Sequence, residues 1–132
     1  MSVILPSSCT RGAAAEQYVV AQALHHGFRV LVPVVDLDGV DLYILNSRGE
    51  VVSTQVKTAK RHRTAWRLRL TSSTQHRYAV DVLVAVAPGF GKLWVVPGVV
   101  LTDLQHNVAL RDKWLDRWDV FEAVGAFRGR VP

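Results

Sequence analysis

The stretch VDLYILNSRGEVVSTQVKTA, residues 40–59, contains two strand-like runs, VDLYILN and EVVSTQVKTA, on either side of a short SRG segment. Two such runs around a three-residue loop are typical of a β-hairpin, and Gly49 can take the left-handed conformation that the loop needs. If the loop closes the hairpin without a bulge, Asp41 lies opposite Gln55, and Lys57 follows on the same face. A bulge would shift this register by one residue.

The segments around the hairpin predict a helix, several strands and a closing helix. Residues 10–27 contain many alanines, with a threonine at the N-terminal cap position and a glycine at the end, as expected of a helix. The apolar run 28–35 predicts a strand that is buried on both faces. Further strands are expected at 65–72, 78–88 and 92–101. Residues 110–124 place Leu and aromatic side chains on one side of a helix. This order predicts an α/β (α+β) fold with a mixed sheet.

Length, charge and cysteine content limit the class of protein. The 132 residues, with 49% hydrophobic and 20% charged residues, predict a single globular domain spanning 1–132. The formal net charge of +5 favours a polyanionic partner. A lone cysteine, Cys9, excludes an intrachain disulfide and a multi-cysteine zinc site, and it fits a cytoplasmic location. No apolar run reaches the roughly 20 residues of a membrane span, so no membrane association is expected.

Glu16 lies on the apolar side of the predicted first helix, since its neighbours three, four and seven residues away are small or apolar. A carboxylate at such a position needs a hydrogen bond, an opposite charge or a metal ion. Gly12, one turn earlier, would let a backbone or a ligand come close. With the hairpin register above, the first helix can lay Glu16 against the face that carries Asp41, Gln55 and Lys57. The alternative is a helix-edge glutamate that reaches solvent past the alanines.

The residues of the hairpin suggest a metal site. Hard divalent cations such as Mg²⁺ take oxygen ligands, which Asp41, Glu16, the Gln55 side chain and the Val56 carbonyl can supply. Mn²⁺ is a possible substitute for Mg²⁺. Lys57 would then hold the attacking water or the phosphate that is cleaved. The alternative for Asp41 is a strand-edge aspartate beside a loop.

The ordered set G-x-x-x-E, D and Q-x-K resembles the PD-(D/E)XK nuclease superfamily, in the variant that ends in Q-x-K. The likeness spans roughly residues 11–101 and is to group I intron-encoded homing endonucleases and, more distantly, to archaeal-type Holliday junction resolvases. It implies a restriction-endonuclease-like fold, in which helices flank a mixed central sheet. It also implies Mg²⁺-dependent hydrolysis of DNA, with Glu16, Asp41, Gln55 and Lys57 as the catalytic residues. Most of the superfamily has an acid where this chain has Gln55, so a degenerate, binding-only site is an alternative.

Two other groups of charged residues bear on this interpretation. A basic segment follows the hairpin and is expected to contact nucleic-acid phosphates, through Lys60, Arg61, Arg63, Arg67 and Arg69. The alternative is a solvated charged loop. Asp36 and Asp38 are either further metal ligands or, as we favour, solvated loop acids beside a glycine turn.

The sequence therefore predicts a Mg²⁺-dependent endonuclease that acts on DNA as a homodimer or a higher homo-oligomer. The substrate stays open between a branched Holliday junction, a defined duplex sequence and RNA. A non-catalytic nucleic-acid-binding module with a degenerate nuclease site is the competing hypothesis.

Overall fold

The computed structural model describes residues 7–35, 39–70, 80–101 and 107–124. Over these ranges one long α-helix, α1 (Ser8–His25), packs against a mixed five-stranded sheet, and a second, three-stranded sheet lies beside it. The predicted mixed α/β (α+β) class is confirmed. None of the helices in these ranges is long and apolar enough to cross a membrane.

The eight strands divide into two sheets. They are β1 (Arg29–Leu31), β2 (Leu42–Leu45), β3 (Val51–Thr58), β4 (Lys60–His62), β5 (Ala65–Arg69), β6 (Val82–Val86), β7 (Leu93–Pro97) and β8 (Asn107–Ala109). The central sheet has the order β1-β2-β3-β6-β7, and the small sheet has the order β4-β5-β8. Only the pair β3–β6 is parallel among these strands. The central strand of the larger sheet, β3, runs almost directly into the first strand of the smaller one.

The β2–β3 hairpin forms with the predicted register, from Leu42 opposite Thr54 to Leu45 opposite Val51. Interactions among the residues of the turn explain this register. Gly49 has a φ of +75°, which a residue with a side chain adopts only under strain. The buried Asn46 side chain accepts hydrogen bonds from the backbone N–H groups of residues 48 and 50, at 3.1 and 3.0 Å. The turn is thus held by its own residues.

The helix begins slightly earlier than the sequence predicts. Its N-cap is Ser7, whose hydroxyl accepts a hydrogen bond from the Thr10 backbone N–H at 3.2 Å, so Thr10 is not the cap. The helix buries a narrow stripe formed by Ala15, Val19 and Ala23 against the central sheet. At the other end Gly27, with a φ of +88°, turns the chain towards β1.

The central sheet is buried on both faces. The face beneath α1 carries valines of β3, β6 and β7, together with Trp118 and Phe121 from the C-terminal region. The opposite face lies under the small sheet and contains Leu83, Ala85 and Trp94. Along β3, side chains therefore alternate between a layer covered by α1 and a layer covered by the small sheet.

The first predicted strand differs from the observed one. The run 28–35 predicts a strand buried on both faces, yet β1 has only three residues and forms the edge of the sheet. Leu31, Val32, Val34 and Val35 are all exposed. The prediction of burial is wrong because an apolar run reports hydrophobicity and not position in the sheet.

The predicted closing helix over 110–124 is also wrong. Two short 3₁₀ helices, Asp112–Trp114 and Trp118–Glu122, occupy this segment. Asp116, between them, has a φ of +52°, which interrupts a continuous α-helix. Trp118 and Phe121 are nevertheless buried, as the aromatic pattern predicts. Likewise, the strand expected over 92–101 ends at Pro97 and continues as a 3₁₀ helix, Gly98–Leu101.

Gly98 provides a test of the packing at the end of the sheet. A Cβ atom at this position would overlap the Val80 carbonyl oxygen and crowd that of Asp81 at 3.2 Å. Both are backbone atoms that cannot move aside easily, so Gly98→Ala is expected to lower the free energy of unfolding by about 1–3 kcal/mol or more. Urea unfolding measures this change. Gly12→Ala is the control, because a Cβ there meets nothing within 4 Å, and we expect equal or greater stability. Equal stability of Gly98→Ala and the wild type would contradict the close approach.

Candidate active site and basic surface

Asp41 lies where the pairing of β2 with β3 ends. Its backbone N–H donates to the Thr54 carbonyl at 2.9 Å, although Thr54 is already the partner of Leu42. Two consecutive residues thus face one, as in a β-bulge, and the ladder stops one residue short of the predicted Asp41–Gln55 pair. The Asp41 side chain continues the contact instead, because its Oδ2 accepts a hydrogen bond from the Val56 N–H at 2.8 Å.

This hydrogen bond places a carboxylate beside β3 at the point where β2 no longer pairs with it. Val56 N–H points to the β2 side, and no β2 residue in the described ladder pairs with it. The N–H and C=O of a strand residue point to the same side, so the Val56 carbonyl faces this edge too. An aspartate oxygen and a backbone carbonyl therefore lie together at the open end of the hairpin.

Gln55 and Lys57 flank this point along β3. They pair with Leu83 and Ala85 of β6, and both side chains are half-buried. Since they are two residues apart in a strand, they project to the same face of the sheet, with Val56 on the opposite face. The structure therefore places Asp41 beside the short β3 segment that contains Gln55, Val56 and Lys57.

Glu16 approaches from the other face of the sheet. It is half-buried on α1, next to the buried Ala15, and α1 covers the face of β3 that carries Val52 and Val56. The sequence predicts that α1 lies against the face of Gln55 and Lys57, and this part of the prediction is wrong because the helix buries the alternate residues. A contact between Glu16 and the hairpin end would therefore have to be made around the edge of β3, next to Asp41.

The oxygen atoms at this edge fit a hard divalent cation. The described part of the chain has no group of three or more His, Cys, Asp or Glu side chains that could hold a metal ion. The predicted ligand set does not need such a group, since it combines the carboxylates of Asp41 and Glu16 with the Gln55 amide and the Val56 carbonyl. All four donors are oxygen atoms, the type that Mg²⁺ and Mn²⁺ prefer. Asp36 and Asp38, the alternative ligands, lie outside the described residues.

The basic segment forms a surface on the small sheet. Lys60 begins β4 only three residues after Lys57, and β4 and β5 form a hairpin that pairs Lys60 with Arg67. Four of the five predicted cations line a cavity of about 380 Å³, together with His62 and Asn107. The fifth, Arg63, lies in the β4–β5 turn with a φ of +58°.

Two residues that line this cavity, His62 and Asn107, are not among the residues predicted from the sequence to contact nucleic acid. The alternation of the basic segment could have predicted His62, since it shares a strand face with Lys60. Asn107 carries no such signal, because it joins the surface only when β8 pairs with β5 and places it opposite Arg69.

A family profile of PD-(D/E)XK endonucleases matches residues 7–117. The match covers most of the chain and includes α1, both strands of the hairpin and the basic surface. The chain therefore belongs to the PD-(D/E)XK endonuclease family, as its motifs predict.

Solved structures with the same fold agree with this assignment. The bacterial homing endonuclease I-Ssp6803I superposes with a TM-score of 0.78 at 18% identity, covering 96% of this chain and 100% of that one. Hjc, a Holliday junction resolvase from the archaeal hyperthermophile Archaeoglobus fulgidus, gives a TM-score of 0.58 at 14% identity, covering 87% and 96%. These likenesses confirm the restriction-endonuclease-like fold. A comparison with curated protein sequences gives no match.

Proposed function

We propose that this protein is a Mg²⁺-dependent endonuclease that hydrolyses phosphodiester bonds in DNA. The observation that carries the proposal is the hydrogen bond from Val56 N–H to Asp41 Oδ2, which holds a carboxylate at the edge of β3 beside the residue that lies between Gln55 and Lys57 in sequence. Membership of the PD-(D/E)XK endonuclease family supports the class of reaction. The basic surface that follows β3 supports a polyanionic substrate.

Each residue of the site has a separate role in this proposal. Asp41, Glu16, the Gln55 amide and the Val56 carbonyl would hold the ion. When bound, Mg²⁺ lowers the pKa of a water molecule and polarises the phosphoryl group. Lys57 places its ammonium group beside the scissile phosphate, where it stabilises the negative charge that grows as the water attacks. Because these side chains are half-buried, their charges act with less screening than at the open surface.

The neutral Gln55 favours one alternative, a DNA-binding module without catalytic activity. A glutamine in place of an acid leaves one negative charge fewer at the ion, so metal binding is weaker than at a site with three carboxylates. If the ion does not bind, the same surfaces make a DNA-binding module that never cleaves.

A substrate panel tests the proposed function directly. The protein is incubated with labelled linear duplex, four-way junction, single-stranded DNA and RNA, with Mg²⁺, with Mn²⁺ and with EDTA. Cleavage of a DNA substrate that requires the metal supports the proposal. Binding of DNA without cleavage under every condition would favour the non-catalytic module, and cleavage of RNA alone would contradict the choice of DNA.

Arg61 and Arg63 are proposed to bind phosphates at the rim of the basic surface. Each phosphate that the protein neutralises releases condensed counterions, so the slope of log K against log salt changes by about 0.9 for each phosphate that is no longer neutralised. Changing both residues to Ala is expected to weaken binding to every duplex equally and to flatten this slope by up to about 2. A salt titration of duplex affinity without metal measures it, and Arg48→Ala, in the β2–β3 turn at the end of β3 away from the basic surface, is the control. Superimposable slopes for the double variant and the wild type would contradict phosphate binding at this rim.

We also propose that the protein acts as a homodimer, since a duplex presents its two strands around a two-fold axis. The edge of β1 and the chain that follows it offer a contact surface. Residues 31–35 contain no charge, and Leu31, Val32 and Val34 are exposed beside an edge that pairs with no strand in the described residues. Native proteins usually protect such an edge with several charged side chains, whereas β1 carries only Arg29 and the chain that follows it carries none, so this stretch favours pairing with a second copy.

Light scattering of the purified protein tests this dimer. The wild type is expected to have the mass of two chains, and Val34→Lys the mass of one, because the lysine would bury a charge in the contact. Val100→Lys changes an exposed valine elsewhere on the surface and should remain dimeric. A monomeric wild type, or a dimer that Val34→Lys leaves intact, would contradict the contact at the β1 edge.

A further inference from the structure

The small sheet presents one face to the core and the other to solvent. Residues alternate between the two faces along a strand, and directly paired residues share a face. Leu68 is buried, packs inward and pairs with Val108. The opposite, outward face carries the alternate positions, all of which are exposed: Lys60, His62, Ala65, Arg67, Arg69, Asn107 and Ala109.

This outward face is positively charged and has no compensation of its own. Lys60 lies directly opposite Arg67, and like charges in this relation destabilise a sheet. No ion pair among the described residues involves the sheet, and its three strands contain no Asp or Glu. Contact with a polyanion would therefore relieve the repulsion between the cations of this face.

The dimensions of the face match a groove of duplex DNA. Neighbouring strands lie about 4.8 Å apart, so the three strands span about 10 Å. The major groove of B-DNA is about 12 Å wide and admits a two-stranded β-ribbon such as β4–β5. The major groove of an RNA helix is too deep and narrow for side chains to read, so the match is to DNA.

The residue types on the face are those that read bases. Asn107 is neutral, so it adds nothing to the attraction for phosphates, yet it lies directly opposite Arg69 amid the cations. An Asn amide can form two hydrogen bonds to adenine and an Arg guanidinium two to guanine, while an alanine can contact the thymine methyl group. Two alanines, Ala65 and Ala109, lie on the same face and leave room for base edges.

We propose that this face enters the major groove of duplex DNA and that Arg67, Arg69 and Asn107 contact base edges there. The inference rests on the proposed function for its DNA substrate, and it narrows that substrate to a duplex of defined sequence. Arg61 does not belong to this face. Its guanidinium lies over the Trp66 ring, 5.8 Å from the centroid, and its Nε donates to the Arg63 carbonyl at 3.2 Å. Base reading is thereby assigned to residues of β5 and β8, and phosphate binding to Arg61 and Arg63 of the β4–β5 hairpin.

The first test is a selection of binding sites from a random duplex library without metal. The wild-type protein is expected to enrich a defined motif. Asn107→Ala is expected to lose the preference at one position and to bind the selected site about 5- to 100-fold more weakly. Its affinity for an unrelated duplex should stay the same, because the substitution removes no charge.

The second test separates base reading from charge. Arg69→Lys keeps the positive charge but loses the planar group that forms two parallel hydrogen bonds. It is expected to preserve the affinity for unrelated duplex and the salt dependence, and to lose about 5- to 100-fold in affinity for the selected site. Arg48→Lys is the matched control, because Arg48 lies in the β2–β3 turn at the end of β3 away from the small sheet, and it should leave both affinities unchanged. Unfolding curves of the variants show whether the small sheet is intact.

The outcomes distinguish this inference from the proposed function. Metal-dependent cleavage of DNA with no motif enriched, or with a four-way junction preferred to every duplex, would overturn base reading and leave the nuclease activity standing. An enriched motif that Asn107→Ala and Arg69→Lys both leave unchanged would also overturn it, since other residues would then read the sequence. A protein that binds no DNA at all contradicts both.

Discussion

Replacing Lys57 with alanine is expected to reduce the rate of DNA cleavage by about 10²–10³-fold, with little change in DNA affinity. One electrostatic group that stabilises charge in the transition state typically contributes this much. Lys57 is half-buried on β3, beside the edge where Asp41 meets Val56, so water screens its charge less than it screens the exposed cations of β4 and β5. Single-turnover cleavage with protein in excess over DNA measures the rate of the chemical step without a contribution from binding.

Lys60→Ala is the matched control for this experiment. Lys60 lies three residues further along the chain and carries the same charge, but it is exposed and lies on the basic surface. Its loss should weaken DNA binding and leave the rate at saturating protein unchanged. A Lys57→Ala variant that cleaves at the wild-type rate would remove Lys57 from the site, whatever the effect on affinity.

Asp41→Asn is expected to abolish most of the cleavage while the protein stays folded. The amide oxygen of asparagine can still accept the hydrogen bond from Val56 N–H, so the end of the hairpin keeps its structure. The charge that would hold a divalent cation is lost, and we expect a decrease in rate of about 10²-fold or more, comparable to the loss of another electrostatic group. The affinity for Mg²⁺, measured by calorimetry without DNA, should decrease as well.

Asp41→Ala separates the structural role of this side chain from its chemical one. Alanine offers no acceptor, so the Val56 N–H loses its partner, and an unsatisfied buried donor costs about 1–3 kcal/mol. We therefore expect Asp41→Ala to be less stable than Asp41→Asn in urea unfolding, with both variants inactive. If Asp41→Asn keeps full activity and metal affinity, the aspartate serves only to end the hairpin, and the proposed ion lies elsewhere.

The path of β3 connects the two surfaces on which these predictions depend. The strand passes from Gln55 and Lys57 into β4 with only Ala59 between Thr58 and Lys60. Ala59 is buried and its N–H donates to the Val86 carbonyl at 2.8 Å, so this junction is anchored to β6. Lys57 and Lys60 are therefore at most about 11 Å apart along the chain. A substrate held on the basic surface is kept close to the proposed site by a rigid connection.

The hairpin and the family both follow from short-range patterns in the sequence. Asn46 and Gly49 close the β2–β3 turn through bonds within a few residues, so the register could be predicted without knowledge of the rest of the chain. The order of glycine, glutamate, aspartate and Q-x-K along the chain was sufficient to recognise the PD-(D/E)XK class. Both features depend on the order and spacing of residues along the chain, which are properties of the sequence.

The arrangement of the site and its surroundings depends instead on how distant elements pack. The local pattern around Asp41 predicts a continued pair with Gln55, but β2 shifts by one residue there and the carboxylate bonds to Val56 instead. The side of the sheet that α1 covers depends on which valines of β3 it buries, and the alternation of a strand does not specify this choice. Asn107 lies opposite Arg69 because two strands distant in sequence pair, and the exposed β1 reflects its place at the edge of the sheet. Periodicity reports which residues share a face, whereas packing between elements decides what each face meets.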